Sequence, residues 1–431
     1  MNGRVRVRLG DGCWSGRVAG GLPVHVLRRP GLRQKAAVLS VEAGSIDTII
    51  PSGGGMPSKH VPAGAAHFLE HRLFAKPGGD ISERFARLGV DIDAHTTCTQ
   101  TSFQCSGPEH LPEALELLLE LAFVPHLTAR GIAREREIIA REIDLYGDSL
   151  EWVGYLCAMD ALYPGHALAT DIAGTATNIA QLDLACLARL HEAYYHPANA
   201  VLCVCGDVDG PELAARVDGW LRHHGLDVPG PGQRRPRRRR VRAAVRGQRQ
   251  ARLPVVLPHR LLVFPDPRVG QRGLALLERE LALEVALDIL FGSASDFYQR
   301  CYADGVIDSG SFGTDVNLEP WFAFTLVGGD APDPLALIEA VLAELQPARA
   351  LPVLAEHFET ARCKAWGHLV QAFDQVESCV QLMHSAVTCG SHPFDLLTAH
   401  ERLDMVRVRD ALLTGLDPQC HGLVRIDPAR R

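Results

Sequence analysis

The stretch GAAHFLEHRLF (64–74) sets two imidazoles and a carboxylate, His67, Glu70 and His71, within five positions of an otherwise apolar run. On a helix, residues four apart share a face, so His67 and His71 can offer neutral ring nitrogens to one metal ion. Glu70 follows His67 by three residues and lies on the same side. It stands where a general base must stand to take a proton from water, and an ion such as Zn2+ brings the pKa of that water towards neutrality. The chemistry is metal-assisted hydrolysis. The bland alternative is a partly exposed polar helix face with no metal.

Two histidines leave a catalytic zinc one protein ligand short, so a carboxylate is expected elsewhere in the chain. EREIIAREIDLYGD (135–148) supplies Glu135 and Glu142, seven residues apart and therefore on nearly the same helix face. Glu137 lies beside them, and glutamates on a charged helix are usually solvated. The residues alone leave the third ligand open among these.

Such a site needs helices held against a sheet. LPVHVLRR (22–29) and KAAVLSVEAGS (35–45) have the β-branched enrichment and bounding Gly, Pro and Ser of adjacent strands. ISERFARL (81–88) has helical spacing, and VDIDAHTTCTQTSFQCSG (90–107) alternates like one or two further strands. GPEHLPEALELLLELAFVP (107–125) reads as a helix, with Pro112 in its first turn and Ala114, Leu117, Leu118 and Leu121 on one face. LTARGIAREREIIAREIDLYGDSLEW (127–152) reads as a second long helix with Ile132, Ile138, Ile139 and Ile143 as core candidates. VLCVCGDVD (201–209) reads as a buried strand, followed by a helix to about residue 224. Strands and helices are mixed along the chain, which predicts layered α+β architecture.

Of the 431 residues, 47% are hydrophobic and 22% charged, enough for more than one core. A net charge of −7 favours neither nucleic acid nor an acidic membrane surface as partner. The amino terminus has arginines but no apolar core of a signal peptide, and no stretch approaches a membrane span, so a cytoplasmic protein is expected. The 12 cysteines are scattered without a CxxC pair, as expected of reduced thiols.

Residues 229–253 are rich in Pro, Gly and Arg and read as a linker between an amino-terminal domain, 1–228, and a carboxy-terminal one, 254–431. The arginine run is a solvated linker or, alternatively, a contact for an acidic partner. EHRLFAKPGGDISERFARLGVDI (70–92) and LDILFGSASDFYQRCYADGVID (287–308) both pass from Leu-Phe through a Gly-containing loop into a helix ending at glycine, which suggests internal duplication. Laying the two Leu-Phe pairs together sets His67, Glu70 and His71 opposite Glu284, Leu287 and Asp288. The second half therefore lacks the metal-site residues.

The pentad HxxEH, followed about seventy residues on by EREIIAREI, resembles the pitrilysin/insulinase family, the inverzincins. DIAGTATNIAQLD (171–183), HEAYYHPANAVLCVCGDVD (191–209), LFGSASDFYQRCYADGVIDSGSF (290–312) and RCKAWGHLVQAF (362–373) are similar to its short bacterial members. The resemblance implies two homologous αβ domains, each an antiparallel-rich mixed sheet packed with helices, that form one half of a clamshell peptidase. It implies that Glu142 completes the Zn2+ ligand set with His67 and His71, that Glu70 is the catalytic base, and that Glu135 supports the site from behind the ligands. A peptide substrate is expected as an added strand along Asp93, Ala94, His95 and Thr96. His95 is read as substrate-facing or structural, because zinc needs an open position for water.

Two departures matter. Asp93 stands where family members commonly have Asn. Complete members also carry an arginine and, seven residues later, a tyrosine in the half without zinc, whereas RCYADGVIDSGS has Cys301 and Asp308 there, with Arg300 and Tyr302 out of register. The expectation is a zinc endopeptidase subunit in a heterodimer with a homologous subunit that lacks the zinc motif and supplies the Arg/Tyr pair. Leader-peptide removal from a ribosomally made modified peptide is the preferred role. General oligopeptide degradation and a non-catalytic assembly subunit are the alternatives.

Overall fold

The computed structural model describes residues 12–50, 58–228, 238–245 and 247–429. The chain forms two compact units, and both contain a mixed sheet. In the first unit the strands of the six-stranded sheet are β1 (Cys13–Arg17), β2 (Pro23–Arg28), β3 (Lys35–Val41), β4 (Asp91–Thr96), β5 (Thr101–Gly107) and β6 (Ala200–Gly206), in the order β1-β2-β6-β3-β5-β4. Only β2 and β6 run parallel; the other neighbours are antiparallel.

Alternation gives this sheet two distinct faces. Val24, Val26, Ala37, Leu39, Phe103, Leu202 and Val204 are buried in the core with helices α1 (Ala65–Leu73), α2 (Leu111–Phe123) and α3 (Ala129–Tyr146). The core candidates Ala114, Leu117, Leu118 and Leu121 on α2 are all buried. On α3, Ile132 and Ile139 are buried, but Ile138 is 42% exposed and Ile143 half-buried. The buried positions of α3 are Ile132, Glu135 and Ile139, a single narrow stripe, so the full isoleucine set cannot share the core.

The second unit repeats the topology. Its strands β7 (Gln248–Leu253), β8 (His259–Pro265), β9 (Gly313–Leu318), β10 (Ala323–Asp330) and β11 (Gly422–Pro428) follow the order β7-β11-β8-β10-β9. Only β7 and β11 are parallel. Order and direction match β2-β6-β3-β5-β4, so two copies of one pattern make up the chain. The helix Leu274–Phe291 occupies the chain position of α1 in this second copy. There Leu287 is buried and Asp288 is salt-bridged to Lys364, so the positions matching Glu70 and His71 serve packing and a structural ion pair.

The units do not divide at a single point. Residues 144–170 belong to the second unit and 372–385 to the first. The long helix expected over 127–152 ends at Tyr146, and a new one, Leu150–Leu162, begins where the Ser149 hydroxyl accepts from the Trp152 N–H at 3.3 Å. A Cβ on Gly154 would touch Leu261 and Ile426 of the second sheet, which shows how closely this helix packs there. Of the stretch read as a linker, 229–237 and 246 lie outside the described residues, and Gln248–Leu253 is strand β7 rather than connection. Arg238 stacks 5.9 Å above the Trp321 ring. No helix among the described residues is long and apolar enough to cross a membrane.

Candidate metal centre

Helix α1 starts at Gly64, whose φ of +86° is left-handed. A Cβ there would stand 2.3 Å from the carbonyl oxygen of Ala173, so glycine is required twice, by conformation and by contact. Gly64→Ala is expected to cost about 2–4 kcal/mol, against about 1–2 kcal/mol for Gly31→Ala, where φ is also positive but nothing lies within 4 Å. Calorimetric melting of both variants checks this. Equal losses would show that the Ala173 contact does not fix the helix start.

From that start, α1 buries Ala65, Phe68, Leu69 and Leu73 and leaves His67 and His71 on a half-buried stripe, ring centroids 4.6 Å apart. Helix α3 brings Glu142 to the same place. The Nε2 atom of His67 lies 3.7 Å from one Glu142 carboxylate oxygen, and that of His71 lies 3.6 Å from the other. Among the described residues these three form the one group whose ligand atoms could hold a metal ion, all within 4.8 Å of one another. Ligand atoms about 2.1 Å from a tetrahedral ion stand about 3.4 Å apart, so the donor set fits zinc in both chemistry and spacing.

Behind this group, a buried ion pair holds His71 in place. The His71 Nδ1–H donates to Glu135 at 3.2 Å, which leaves Nε2 with its lone pair facing Glu142. Arg72 donates to the other Glu135 oxygen at 2.9 Å, and Arg72 and Glu135 are both buried. Gly131 makes room for this guanidinium, since a Cβ there would lie 2.5 Å from Arg72 Nη2. Arg72 was missed at the sequence level; its only signal was adjacency to His71. Glu135→Gln is expected to keep the fold and lower zinc affinity about 10–100-fold. Competition titration against a chelating dye measures it, and unchanged affinity would remove Glu135 from the metal's support.

Glu70 is buried outside the ligand group and accepts a 2.5 Å hydrogen bond from the Thr96 hydroxyl. Burial pushes its carboxyl above the usual range. Burial, together with the neighbouring His71, pushes His67 down to about 4, which keeps it neutral and able to ligate. Burial would lower His71 as well, but the bond to Glu135 and the charges of Glu70 and Glu142 outweigh it and raise the ring's pKa. Burial would raise Glu135, yet its bonds from His71 and Arg72 hold it below the carboxylate range. Three carboxylates meet one guanidinium here, an excess of negative charge that a divalent cation would neutralise.

The sheet ends at β4, whose outer edge is unpaired among the described residues. Asp93 and His95 are exposed on one face of this strand, while Ala94 and Thr96 are half-buried on the other. Thr96 therefore meets Glu70, whereas His95 is outside the ligand group. In the second unit, Cys301 is buried, Arg300 pairs with Glu344 at 3.1 Å, and Tyr302 is 54% exposed.

Residues 50–176 match the family described as Insulinase (Peptidase family M16), and residues 181–364 match the Peptidase M16 inactive domain. The chain is 31% identical over 399 residues to the uncharacterised zinc protease YmfH of Bacillus subtilis (strain 168), covering 92% of both chains. A solved M16-like peptidase from Alicyclobacillus acidocaldarius superposes with a TM-score of 0.86 at 28% identity, covering 97% of this chain and 98% of its own. A protease from Helicobacter pylori shares the fold, with a TM-score of 0.78 at 17% identity and coverage of 97% and 99%.

Proposed function

The chain belongs to the insulinase family, peptidase family M16, and from that premise we propose that it is a zinc-dependent endopeptidase acting on short or unfolded peptides. The observation that carries this reading is the convergence of His67, His71 and Glu142, with Glu70 buried beside them. His67, His71 and Glu142 would hold the ion; when bound, zinc acts as a Lewis acid on the peptide carbonyl and acidifies water. Glu70, fixed at one oxygen by Thr96, takes a proton from the attacking water at the other and returns it to the leaving amine. Arg72 and Glu135 keep the His71 ring in its ligating orientation. The outer edge of β4, unpaired among the described residues, offers backbone groups to an extended peptide, with Asp93, Ala94, His95 and Thr96 along it.

The chain acts as the zinc-bearing subunit of a heterodimer, because Cys301 and Asp308 stand where an arginine and a tyrosine are expected to grip the substrate carbonyl. A homologous subunit without the zinc motif supplies that pair. Removal of a leader from a ribosomally made modified peptide is the preferred role, with general oligopeptide turnover as the broader one. Cleavage of a quenched fluorescent unfolded peptide, with and without such a subunit, tests the reading. Activity should require the partner, stop with 1,10-phenanthroline and return with zinc. Cleavage that persists in the chelator would exclude zinc chemistry, and activity of the lone chain would exclude the heterodimer.

A further inference from the structure

Hydrolysis makes no use of the arginine-rich stretch, whose described part, residues 238–245, belongs to the second unit. The Val241 N–H donates to the Trp321 carbonyl at 2.7 Å, and the Ala244 N–H donates to the Leu162 carbonyl at 2.8 Å. Trp321 itself sits in the turn between β9 and β10, where the Glu319 N–H donates to the Phe322 carbonyl at 2.9 Å. The Arg272 guanidinium lies 4.3 Å from the centre of the Trp321 ring, and that of Arg238 lies 5.9 Å from it. Arg240 crosses Gly270 and bonds its carbonyl at 3.4 Å. A Cβ on Gly270, whose φ is +102°, would stand 2.1 Å from Arg240 Nε, so glycine makes the seat for this side chain. Positive charge is left over here. Arg239, Arg240, Arg242 and Arg272 are exposed, and among the described residues none of the four has an ion-pair partner. Burial pushes the Glu319 carboxyl up to about 7 against the charge of Arg238, so this neighbour offsets the cluster only in part.

From this convergence we propose that the arginines gathered on Trp321 and Gly270 form a docking surface for an acidic peptide segment, one with several Asp or Glu side chains at short spacing. A guanidinium stacked on an indole keeps its N–H edge outward, and that fork matches the two oxygens of a carboxylate. Stacking and the two backbone bonds hold the arginines in place before anything binds, which lowers the cost of ordering them. Carboxylates from one segment relieve the repulsion among the neighbouring guanidiniums. Two features favour this partner over nucleic acid. The Trp321 ring is already taken by guanidiniums, so it is no stacking platform for bases. The net charge of −7 repels a long polyanion, whereas a short acidic segment meets chiefly the local cluster, because salt screens fields beyond about 10 Å. The surface is independent of the metal centre and stands whether or not the chain cleaves what it binds.

The test is fluorescence anisotropy of a fluorescein-labelled hexaglutamate peptide titrated with the full-length protein at about 50 mM salt, with hexaglutamine as the control. Hexaglutamate should bind, more weakly as salt rises, and hexaglutamine should not. The double variant Arg240→Gln/Arg272→Gln is expected to raise Kd about tenfold. Arg239→Gln/Arg242→Gln, whose side chains make no bond among the described residues and so do not hold the fold, should weaken binding in the same direction. Arg84→Gln/Arg87→Gln removes the same charge from an exposed helix of the first unit and should leave Kd as in the wild type. Absence of hexaglutamate binding would overturn the proposal. So would equal losses in all three double variants, which would make the effect one of net charge. Tighter binding of hexathymidylate than of hexaglutamate, lost in Arg240→Gln/Arg272→Gln, would overturn it in favour of a nucleic-acid surface.

Discussion

Glu70→Gln is expected to lower kcat for peptide cleavage by about 10²–10⁴-fold while leaving one zinc per chain. The substitution is nearly isosteric, and the amide oxygen can still accept the Thr96 hydroxyl that now bonds Oε2. Glu70 lies outside the ligand group, so the metal should be held as before. What disappears is the carboxylate that accepts the proton. Zinc analysis and quenched-peptide kinetics on one preparation separate the effects. Loss of zinc with activity would make Glu70 part of the metal's support, and wild-type turnover would remove it as the base.

Glu142→Ala is expected to abolish stoichiometric zinc binding, and cleavage with it. It leaves two imidazoles, and a catalytic zinc site is built on three protein ligands. His71 would keep its bond to Glu135, so the helices should stay in place. The stabilisation that added zinc gives the wild type, which grows with the ratio of zinc to its Kd, should vanish in the variant. Melting with and without zinc reads this directly. An equal zinc-induced rise in Tm in both proteins would show that the ion binds elsewhere. The expected ranking is therefore loss of metal at Glu142, weakened metal at Glu135, and metal without turnover at Glu70.

Much of the site could be read from the sequence because its helices are amphipathic and its residues lie at helical spacings. His67, Glu70 and His71 need only a helix to share a region, and Glu135 and Glu142 need only a second helix packed beside it. What could not be read is what depends on tertiary contact. The residues alone did not choose among Glu135, Glu137 and Glu142; the structure separates Glu135, buried behind His71, from Glu142, which faces both Nε2 atoms. Arg72 and the Thr96 hydroxyl act on groups distant in sequence, with no local pattern to announce them.

The duplication was legible as a short echo, and the matching strand orders extend it over both units. Strand β7 was hidden in an arginine-rich stretch because its residues alternate between exposed and half-buried, so no apolar run marks it. The membership of 144–170 in the second unit was hidden for another reason. A continuous-looking helical pattern passes through Gly147–Ser149, and only the packing of Leu150–Leu162 on the second sheet shows where the first helix stops.

The most direct measurement is anomalous diffraction at the zinc absorption edge from crystals of the zinc-loaded protein. The expected result is one strong peak about 2.1 Å from the Nε2 atoms of His67 and His71 and from a carboxylate oxygen of Glu142. A fully loaded crystal with no peak at these three residues, or with its peak at another set of side chains, would contradict the assignment of this group as the metal centre.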